Sequence, residues 1–338
     1  MPRGMARYIL AAVLAVLALA APFLLYPTFA MKLLCFALFA VAFNLLIGFT
    51  GLLSFGHAAF FGTGGYIAAH AAKVWGLTPE LAILAGMAAS ALFGVAIGFL
   101  AIRRKGIYFA MVTLALSQMV FFLYLQARFT GGEDGLQGVP RGHLFGLIDL
   151  GQPLAMYYTV LGIFLIGFFA AWRVVHSPYG QVLKAVREHE PRAISLGYDV
   201  ERYKLIVFVI SATLAGMAGG TKAIVFQLAS LTDVTWQTSG QVVLMTLLGG
   251  IGTMLGPVVG AFIVVSLENY LALYSLPVPV VVGAVFVACV LLFRRGIVGE
   301  IEHLLRRKTN KKVGEPVVAG TQSPSPISVT RGAVTPER

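Results

Sequence analysis

Long apolar runs alternate with short polar segments along most of this chain, and the length of the runs is their most informative property. A helix needs about 20 mainly apolar residues to cross the roughly 30 Å of hydrocarbon in a bilayer. Runs of this kind cover residues 8–26, 31–48, 55–72, 79–101, 107–126, 154–172, 204–229 and 275–293. The pattern predicts an all-α fold, a polytopic membrane helical bundle.

One further apolar stretch, residues 238–272, is too long for a single crossing and is interrupted by small residues. A glycine cluster at 249–252 stands near its middle, and Pro257 follows. Glycine and proline are the strongest local interruptions of regular structure. We therefore divide the stretch into a short span at 238–251 and another at 254–272, which brings the prediction to about ten transmembrane helices.

Lysine and arginine are distributed unequally between the two sets of loops, and this predicts the orientation. Cytoplasmic loops of membrane proteins carry the excess of these residues. With the amino terminus inside, the inner segments hold the basic residues of 1–7, 103–105 and 173–204 and everything from 294 onward. The outer segments hold only Lys32, Lys73, Arg128 and Arg141. We therefore expect both the N and C termini to be cytoplasmic.

The overall composition supports a membrane protein and argues against a nucleic-acid-binding one. Of the 338 residues, 58% are hydrophobic and only 12% are charged, whereas soluble domains carry about 25% charged residues. The net charge of +11 is spread over short clusters between apolar runs and does not form the contiguous basic stripe that binds phosphates. Cys35 and Cys289 lie inside apolar runs, where we expect inert packing residues. Their spacing indicates neither a metal site nor a disulfide.

The chain divides by composition into three parts. We assign 1–30 to the cytoplasmic start and the first transmembrane helix, which we interpret as retained, since no small-residue cleavage site follows it. We assign 31–300 to a transmembrane domain, with a charged cytoplasmic loop at 173–203. Residues 301–338 form a basic tail, which from about 313 onward lacks the apolar residues needed to offset the entropy of ordering.

Polar and glycine positions inside or beside the spans are candidates for a translocation path. They are Asn44, Ser54, Gly56, His57, Gln118, Gly249, Gly250 and Gly252. Polar residues within a bilayer are functional candidates by default, and interrupted helices line substrate paths in transporters. A structural interpretation stays open for each: glycines allow close helix packing, Asn44 and Gln118 can bond a neighbouring helix, and His57 can cap or pack at the start of its span.

Acidic residues are absent from the middle of the predicted spans. Glu268 falls near the outer end of its helix. A carrier driven by protons or sodium usually needs a buried ionisable group. The pattern therefore disfavours an ion-coupled carrier.

The segment 177–197 is the longest charged insertion between spans, and its sequence predicts two short helices. Ser177 before Pro178 is a helix start, with proline at the first helical position. A second short helix begins at Pro191, and Gly197 is placed to end it in a left-handed conformation. We expect charged residues of this segment, Arg187, Glu188 and Arg192 among them, to face water or a partner. Ala193, Ile194 and Leu196 are expected to form a small apolar knob.

Several motifs carry a resemblance to a known family. The pairs Arg187-Glu188 and Arg192-Ala193, the run Leu196-Gly197-Tyr198-Asp199 and the pair Tyr203-Lys204 resemble the ATPase-coupling loop of branched-chain amino acid importer permeases, the LivH/LivM family. Further matches are Phe43-Asn44-Leu45-Leu46, the glycine-containing run from Gly48 to Ala58, Thr130-Gly131-Gly132-Glu133-Asp134-Gly135-Leu136 and Gly249-Gly250-Ile251-Gly252-Thr253 with Gly256-Pro257. The Gly-Gly-Glu-Asp-Gly segment resembles the LivM type more than the LivH type, although the family often has serine where Glu133 stands.

The resemblance implies a subunit of an ATP-driven ABC importer in the bacterial inner membrane, one that moves leucine, isoleucine, valine or related amino acids into the cytoplasm. It implies as partners a second, LivH-type permease, two cytoplasmic ATPases and a periplasmic amino-acid-binding protein. ATP and Mg would be bound by the ATPases and no cofactor by this chain, which has no Gly-x-x-x-x-Gly-Lys-Ser/Thr phosphate loop. By the same resemblance Arg187, Glu188, Arg192, Ala193, Leu196 and Gly197 would couple to the ATPase.

Other functions remain open on the residues alone. A permease of a urea or amide importer would share this framework, and an ion-coupled secondary carrier or a channel subunit would share the helical bundle. An enzyme is disfavoured because no constellation of His, Cys or carboxylate residues stands at a membrane face.

Overall fold

The fold is described from a computed structural model, over residues 19–146, 148–272, 278–292 and 296–300. Most of the predicted first span and the whole predicted tail, 301–338, lie outside these residues. The described α-helices follow the predicted spans closely. They are α1 Pro27–Thr50, α2 His57–Lys73, α3 Pro79–Ala101, α4 Ile107–Gln126, α5 Pro153–His176, α6 Pro178–Glu188, α7 Glu190–Ser195, α8 Val200–Phe226, α9 Trp236–Gly249, α10 Gly256–Ala272 and α11 Val278–Leu292.

The predicted division of the 238–272 stretch is confirmed. Helix α9 ends at Gly249 and α10 begins at Gly256, so a turn separates two helices of 14 and 17 residues. Gly250 and Gly252 take φ angles of 120° and 76°, which side chains other than glycine rarely adopt. The glycine cluster therefore reverses the chain between two antiparallel helices.

Helix α1 lies at the centre of the bundle. In the most apolar 18-residue stretch of α1, 89% is buried. In the corresponding stretches of α3, α4 and α5, 33% is buried. A helix that is apolar on every side is stable only when other helices or lipid surround it completely. Here α8, α5, α10 and α9 surround α1, and the peripheral helices present their outer apolar faces to the surroundings.

Glycine-mediated packing joins α2, α3 and α8. A side chain at Gly64 would lie 2.2 Å from the Gly216 carbonyl oxygen, and one at Gly86 would lie 2.5 Å from the Gly64 carbonyl oxygen. Ser90 completes the contact by donating a hydrogen bond of 2.9 Å to the Phe60 carbonyl. Small residues let membrane helices approach to backbone contact, so these glycines serve packing.

The two ends of the bundle differ. One end carries the 127–152 connection, which contains the strands β1 Leu136–Gln137, β2 His143–Leu144 and β3 Ile148–Asp149 and pairs through β1 with β4 Leu228–Ala229. The opposite end, called the coupling end below, carries α6 and α7 and the turn between α9 and α10. The basic cluster at 103–105 also lies at the coupling end, where Lys105 contacts Glu190 at 2.9 Å. The charge pattern predicts this end to be cytoplasmic.

Candidate coupling surface and polar sites within the membrane domain

The two short helices of the coupling end form as their sequence predicts. Ser177 caps α6: its side chain accepts a hydrogen bond of 3.3 Å from the Gly180 backbone N–H. Leu183 and Val186 are buried and fix one face of α6 against the protein. Helix α7 begins at Glu190, so α6 and α7 follow each other almost without a break. This local geometry gives the segment a defined shape between α5 and α8.

An apolar knob projects at the end of α7. Ile194 is 53% exposed and Leu196 is 70% exposed. Gly197, with φ 85°, ends the helix by donating its N–H to the Ile194 carbonyl at 2.9 Å, and Tyr198 donates to the Ala193 carbonyl at 3.2 Å. Glu188 and Arg192 are exposed beside the knob. An exposed apolar tip with flanking charges is a surface suited to a protein partner.

Ala193 does not belong to the exposed knob, contrary to the sequence expectation. It is 3% exposed and packs in a small core with Val186 and Val200. The short helix turns this small residue towards α8, so that Ile194 and Leu196 point outward. Ala193 therefore packs within the protein and holds α7 in place, while Ile194 and Leu196 form the exposed knob.

Arg187 is exposed, as expected, but it also makes a contact within the protein that the sequence did not indicate. Its guanidinium group donates a hydrogen bond to the Gly48 carbonyl oxygen at the end of α1. The last four carbonyls of a helix have no partner within the helix, and Arg187 supplies one. The side chain thus joins the coupling helices to the central helix.

Asn44 ties the same end of α1 to the turn between α9 and α10. Its amide donates to the Thr253 carbonyl at 2.8 Å, and its side-chain oxygen accepts from the Gly252 N–H at 3.0 Å. Together Asn44, Gly48, Arg187 and the turn 250–253 form what we call the junction. Gly250 and Gly252, predicted as path residues, lie in this packed junction. Gly249 lies against α10, where an added side chain would meet the Gly256 carbonyl oxygen at 1.8 Å.

Glu190 holds α7 through two lysines. Its carboxylate lies 2.9 Å from the Lys105 ammonium and 3.0 Å from that of Lys204. Partial burial would by itself raise the pKa of Glu190, but the hydrogen bonds from Lys105 and Lys204 outweigh it and lower the pKa below its usual value of 4.5. The ion pairs therefore stabilise the fold fully above pH 4.5, and their contribution is lost as the pH falls through the lower, folded-state pKa.

We expect Glu190→Gln to lower the free energy of unfolding at neutral pH by about 2 kcal/mol, because the buried Lys204 ammonium loses a charged hydrogen-bond partner. Thermal unfolding of the purified protein measured from pH 7 down to pH 3 should show a smaller acid-dependent loss for the variant. Glu201→Gln, at an exposed carboxylate on the first turn of α8, is the matched control. Equal pH profiles for wild type and Glu190→Gln would contradict the assignment.

His57 lies fully buried at the first residue of α2, in a ring of phenylalanines. Its Nε2 is 2.8 Å from the Ser211 hydroxyl, which donates its own hydrogen to the Ala42 carbonyl. The serine therefore accepts from His57 Nε2–H, which links α1, α2 and α8. Phe43 and Phe60 pack edge-on against the imidazole at 5.3 and 5.4 Å between ring centres.

The remaining predicted path residues lie near the start of α2 and along α4. The Ser54 hydroxyl is buried and accepts from the Gly56 N–H at 3.3 Å. A side chain at Gly56 would lie 2.4 Å from the Thr113 carbonyl oxygen, so α4 approaches to backbone contact there. Gln118 is half-buried on α4. The structure thus brings Ser54, Gly56 and His57 together, and a path through them stays a prediction.

Two polar pairs lie near the other end, and the sequence did not predict either pairing. The Lys222 ammonium, on α8, bonds the Asp233 carboxylate in the short helix Leu231–Val234. Gln241 on α9 donates to the Glu268 carboxylate on α10. A lysine inside a predicted span needs a buried partner. That rule, applied to Lys222, could have found Asp233, which follows it by 11 residues.

Comparison with known proteins assigns this architecture to a family. The family described as branched-chain amino acid transport system / permease component matches residues 25–293, a range that includes every helix from α1 to α11. The chain belongs to this permease family. It is therefore a multi-pass membrane permease, and the helical bundle is its transport domain.

Individual relatives agree with the permease family. The high-affinity branched-chain amino acid transport system permease protein LivM of Escherichia coli is 27% identical over 329 residues, 89% of this chain and 77% of the relative. LivM of Salmonella typhimurium is 27% identical over 296 residues, 80% of this chain and 69% of the relative. The autoinducer 2 import system permease protein LsrC of an Enterobacter species is 29% identical over 217 residues, 60% and 59% of the two chains. No solved structure matches the chain.

Proposed function

We propose that this permease is a membrane subunit of an ATP-driven ABC importer that carries branched-chain amino acids into the cytoplasm of a bacterium across its inner membrane. The observation that carries the proposal is the exposed knob of Ile194 and Leu196 on the α6–α7 pair. The knob is held rigidly by a buried face, a cap and the Glu190 ion pairs, which suits a surface that receives force from a docked protein. The family description and the LivM relatives supply the substrate class.

The bonded state of two carboxylates, Asp233 and Glu268, favours an ATP-driven importer over an ion-coupled carrier. In the described helices and connections of the membrane domain, Asp233 is bonded to Lys222 and Glu268 is bonded to Gln241. An ion-coupled carrier needs a carboxylate or cage that exchanges its ion during the cycle. Carboxylates held by neighbouring side chains do not offer such a group.

A complete importer requires partners with complementary roles. We propose a second permease of the same family, two cytoplasmic ATPases at the coupling end and an amino-acid-capturing protein at the opposite end. ATP and Mg would bind to the ATPases. Arg192 and Glu188, exposed beside the knob, would orient the ATPase by charge, because charged groups around an apolar contact chiefly contribute specificity.

The proposal is tested by purifying the complex from its native membrane and reconstituting it in liposomes with the capture protein. We expect an ATPase to co-purify and leucine uptake to require ATP. Leu196→Asp should abolish ATPase association, since it places a charge at the centre of an apolar contact, while the chain itself still inserts and folds. Gln181→Asp, which adds the same charge at an exposed residue of α6 outside the knob, is the control.

Three outcomes would contradict the proposal. Uptake driven by an ion gradient without ATP would indicate a carrier. Uptake of autoinducer 2 or urea in preference to leucine would contradict the substrate class. ATPase association undiminished by Leu196→Asp would contradict the role of the knob.

A further inference from the structure

We propose that Arg187 is a positioning residue that transmits movement of the coupling helices to the turn between α9 and α10. This inference rests on the proposed function, because it presupposes an ATPase that moves α6 and α7. It assigns the guanidinium of Arg187, an exposed residue, to a contact with the permease itself. Docking of the partner is left to Leu196 and its exposed neighbours.

The first step is the hydrogen bond between two elements that are far apart in sequence. Arg187 stands at the end of α6 and donates to the Gly48 carbonyl, 139 positions earlier on α1. The carbonyl belongs to the last turn of α1, where the helix dipole favours a cation. The bond therefore joins α6, the helix that we propose to move, to the central helix α1.

The second step is that the guanidinium also abuts the α9–α10 turn. A side chain built at Gly252 would lie 3.1 Å from Arg187 Nη1 and 3.1 Å from the Gly48 carbonyl oxygen. A side chain at Gly48 would meet the Gly252 backbone nitrogen at 2.8 Å. Only glycine at both positions leaves room for α1, the turn and the guanidinium to touch. A movement of Arg187 towards the turn would therefore press on Gly48 or Gly252.

The third step is that the turn is held to α1 by a separate bond. Asn44 donates to the Thr253 carbonyl and accepts from the Gly252 N–H. The turn and the end of α1 consequently move as one piece. Arg187 is the hydrogen-bonded attachment of the coupling helices to that piece within the part of the chain that the structure describes.

The fourth step is that other polar contacts join the coupling helices to α8 and to the connection between α3 and α4. Glu190 bonds Lys105, between α3 and α4, and Lys204, on α8. Tyr179 adds a hydrogen bond of 2.7 Å to the Tyr203 carbonyl, also on α8. The coupling helices thus contact α8 through Glu190 and Tyr179. They contact α1 through the Arg187 hydrogen bond and through Lys184, whose ammonium lies 5.9 Å from the centre of the Phe49 ring. Displacement of α6 and α7 would therefore move α8 as well as α1 with the α9–α10 turn.

The inference is tested in the assembled importer, with its ATPases and capture protein, by comparing wild type with Arg187→Ala and Arg187→Lys. We expect Arg187→Ala to keep its ATPase and to hydrolyse ATP, but to lose at least tenfold of its substrate uptake. Arg187→Lys keeps a donor but not the planar fork, so it should recover part of the uptake. Arg202→Ala, at an arginine whose side chain is 83% exposed beside Asp199, should transport as wild type does.

A distance measurement separates transmission from a merely structural role. Spin labels at Gln181→Cys and Met254→Cys, with Cys35 and Cys289 replaced by alanine, report the separation of α6 from the α9–α10 turn. We expect one distance in nucleotide-free and ATP-trapped wild type, because the two elements move together. With Arg187→Ala the two states should give different distances. Arg187→Lys supplies the comparison if the alanine variant does not accumulate.

The outcomes distinguish this inference from the proposed function. Wild-type uptake by Arg187→Ala, or loss of its ATPase, would overturn the transmission role while leaving the importer intact. Absence of any ATPase from the purified wild-type complex would overturn both.

Discussion

Gly219→Ala is expected to prevent normal packing of α2 against α8 and to lower the yield of folded protein sharply. An added methyl group would lie 1.8 Å from the Phe61 carbonyl oxygen. The obstacle is backbone within a helix, which cannot rotate away as a side chain does, so the two helices must separate. Overpacking of this kind costs about 3 kcal/mol or somewhat more, and thermal unfolding of the purified protein in detergent should show a correspondingly lower melting temperature.

Gly162→Ala is the matched control for this prediction. Gly162 lies on α5, and an added methyl group there meets nothing within 4 Å. Alanine is more favourable than glycine within a helix by about 1 kcal/mol, so this variant should be as stable as wild type or slightly more stable. Equal melting temperatures for the two variants would show that the close contact at Gly219 does not exist.

Removal of the Lys222 charge has the second largest expected effect. The ammonium bonds Asp233 and lies over the rings of Phe36 and Phe61, at 5.7 and 5.8 Å from their centres. Removing one partner of a buried ion pair leaves an uncompensated charge and costs about 3 to 5 kcal/mol. We therefore expect Lys222→Met or Asp233→Asn alone to destabilise the protein. Either change should also reduce substrate uptake, because the short helix Leu231–Val234 is then no longer held to α8.

A double-mutant cycle measures the coupling between the two charges. The combined variant, Lys222→Met with Asp233→Asn, contains neither charge, so its free energy of unfolding should lie at least about 1 kcal/mol above the additive expectation. Additive losses in thermal unfolding would contradict a direct ion pair. If stability is restored in the double variant but uptake is not, the charges themselves are needed for transport.

The helices of the domain were largely predictable because the bilayer imposes a length and a composition on every crossing. The predicted spans 79–101 and 107–126 coincide with α3 and α4 as the structure has them. Gly249 and Pro257 marked the break between α9 and α10, since both residues weaken helices. The cap at Ser177 and the left-handed end at Gly197 were equally readable, because each depends on residues within a few positions along the chain.

The site was less predictable because its contacts join residues that are distant in sequence. Nothing local to Arg187 indicates that it bonds Gly48 rather than a partner, and the pattern of α7 alone does not say that Ala193 packs on Val200. The direction of a side chain on a short helix depends on which face the neighbouring helices cover. The resemblance to coupling loops indicated a segment, but it could not distinguish the exposed Leu196 from the buried Ala193.

The central position of α1 has a consequence for how the protein is made. Asn44 finds its partner at Thr253, which is 209 positions further along the chain. At ordinary rates of synthesis of about 5 to 20 residues per second, the helix waits roughly 10 to 40 seconds before that partner leaves the ribosome. During this interval its amide must be sheltered by lipid headgroups, water or an insertion factor. Apart from Asn44, residues 33–48 of α1 are all apolar or glycine, and they keep the nascent helix in the bilayer until the later helices enclose it.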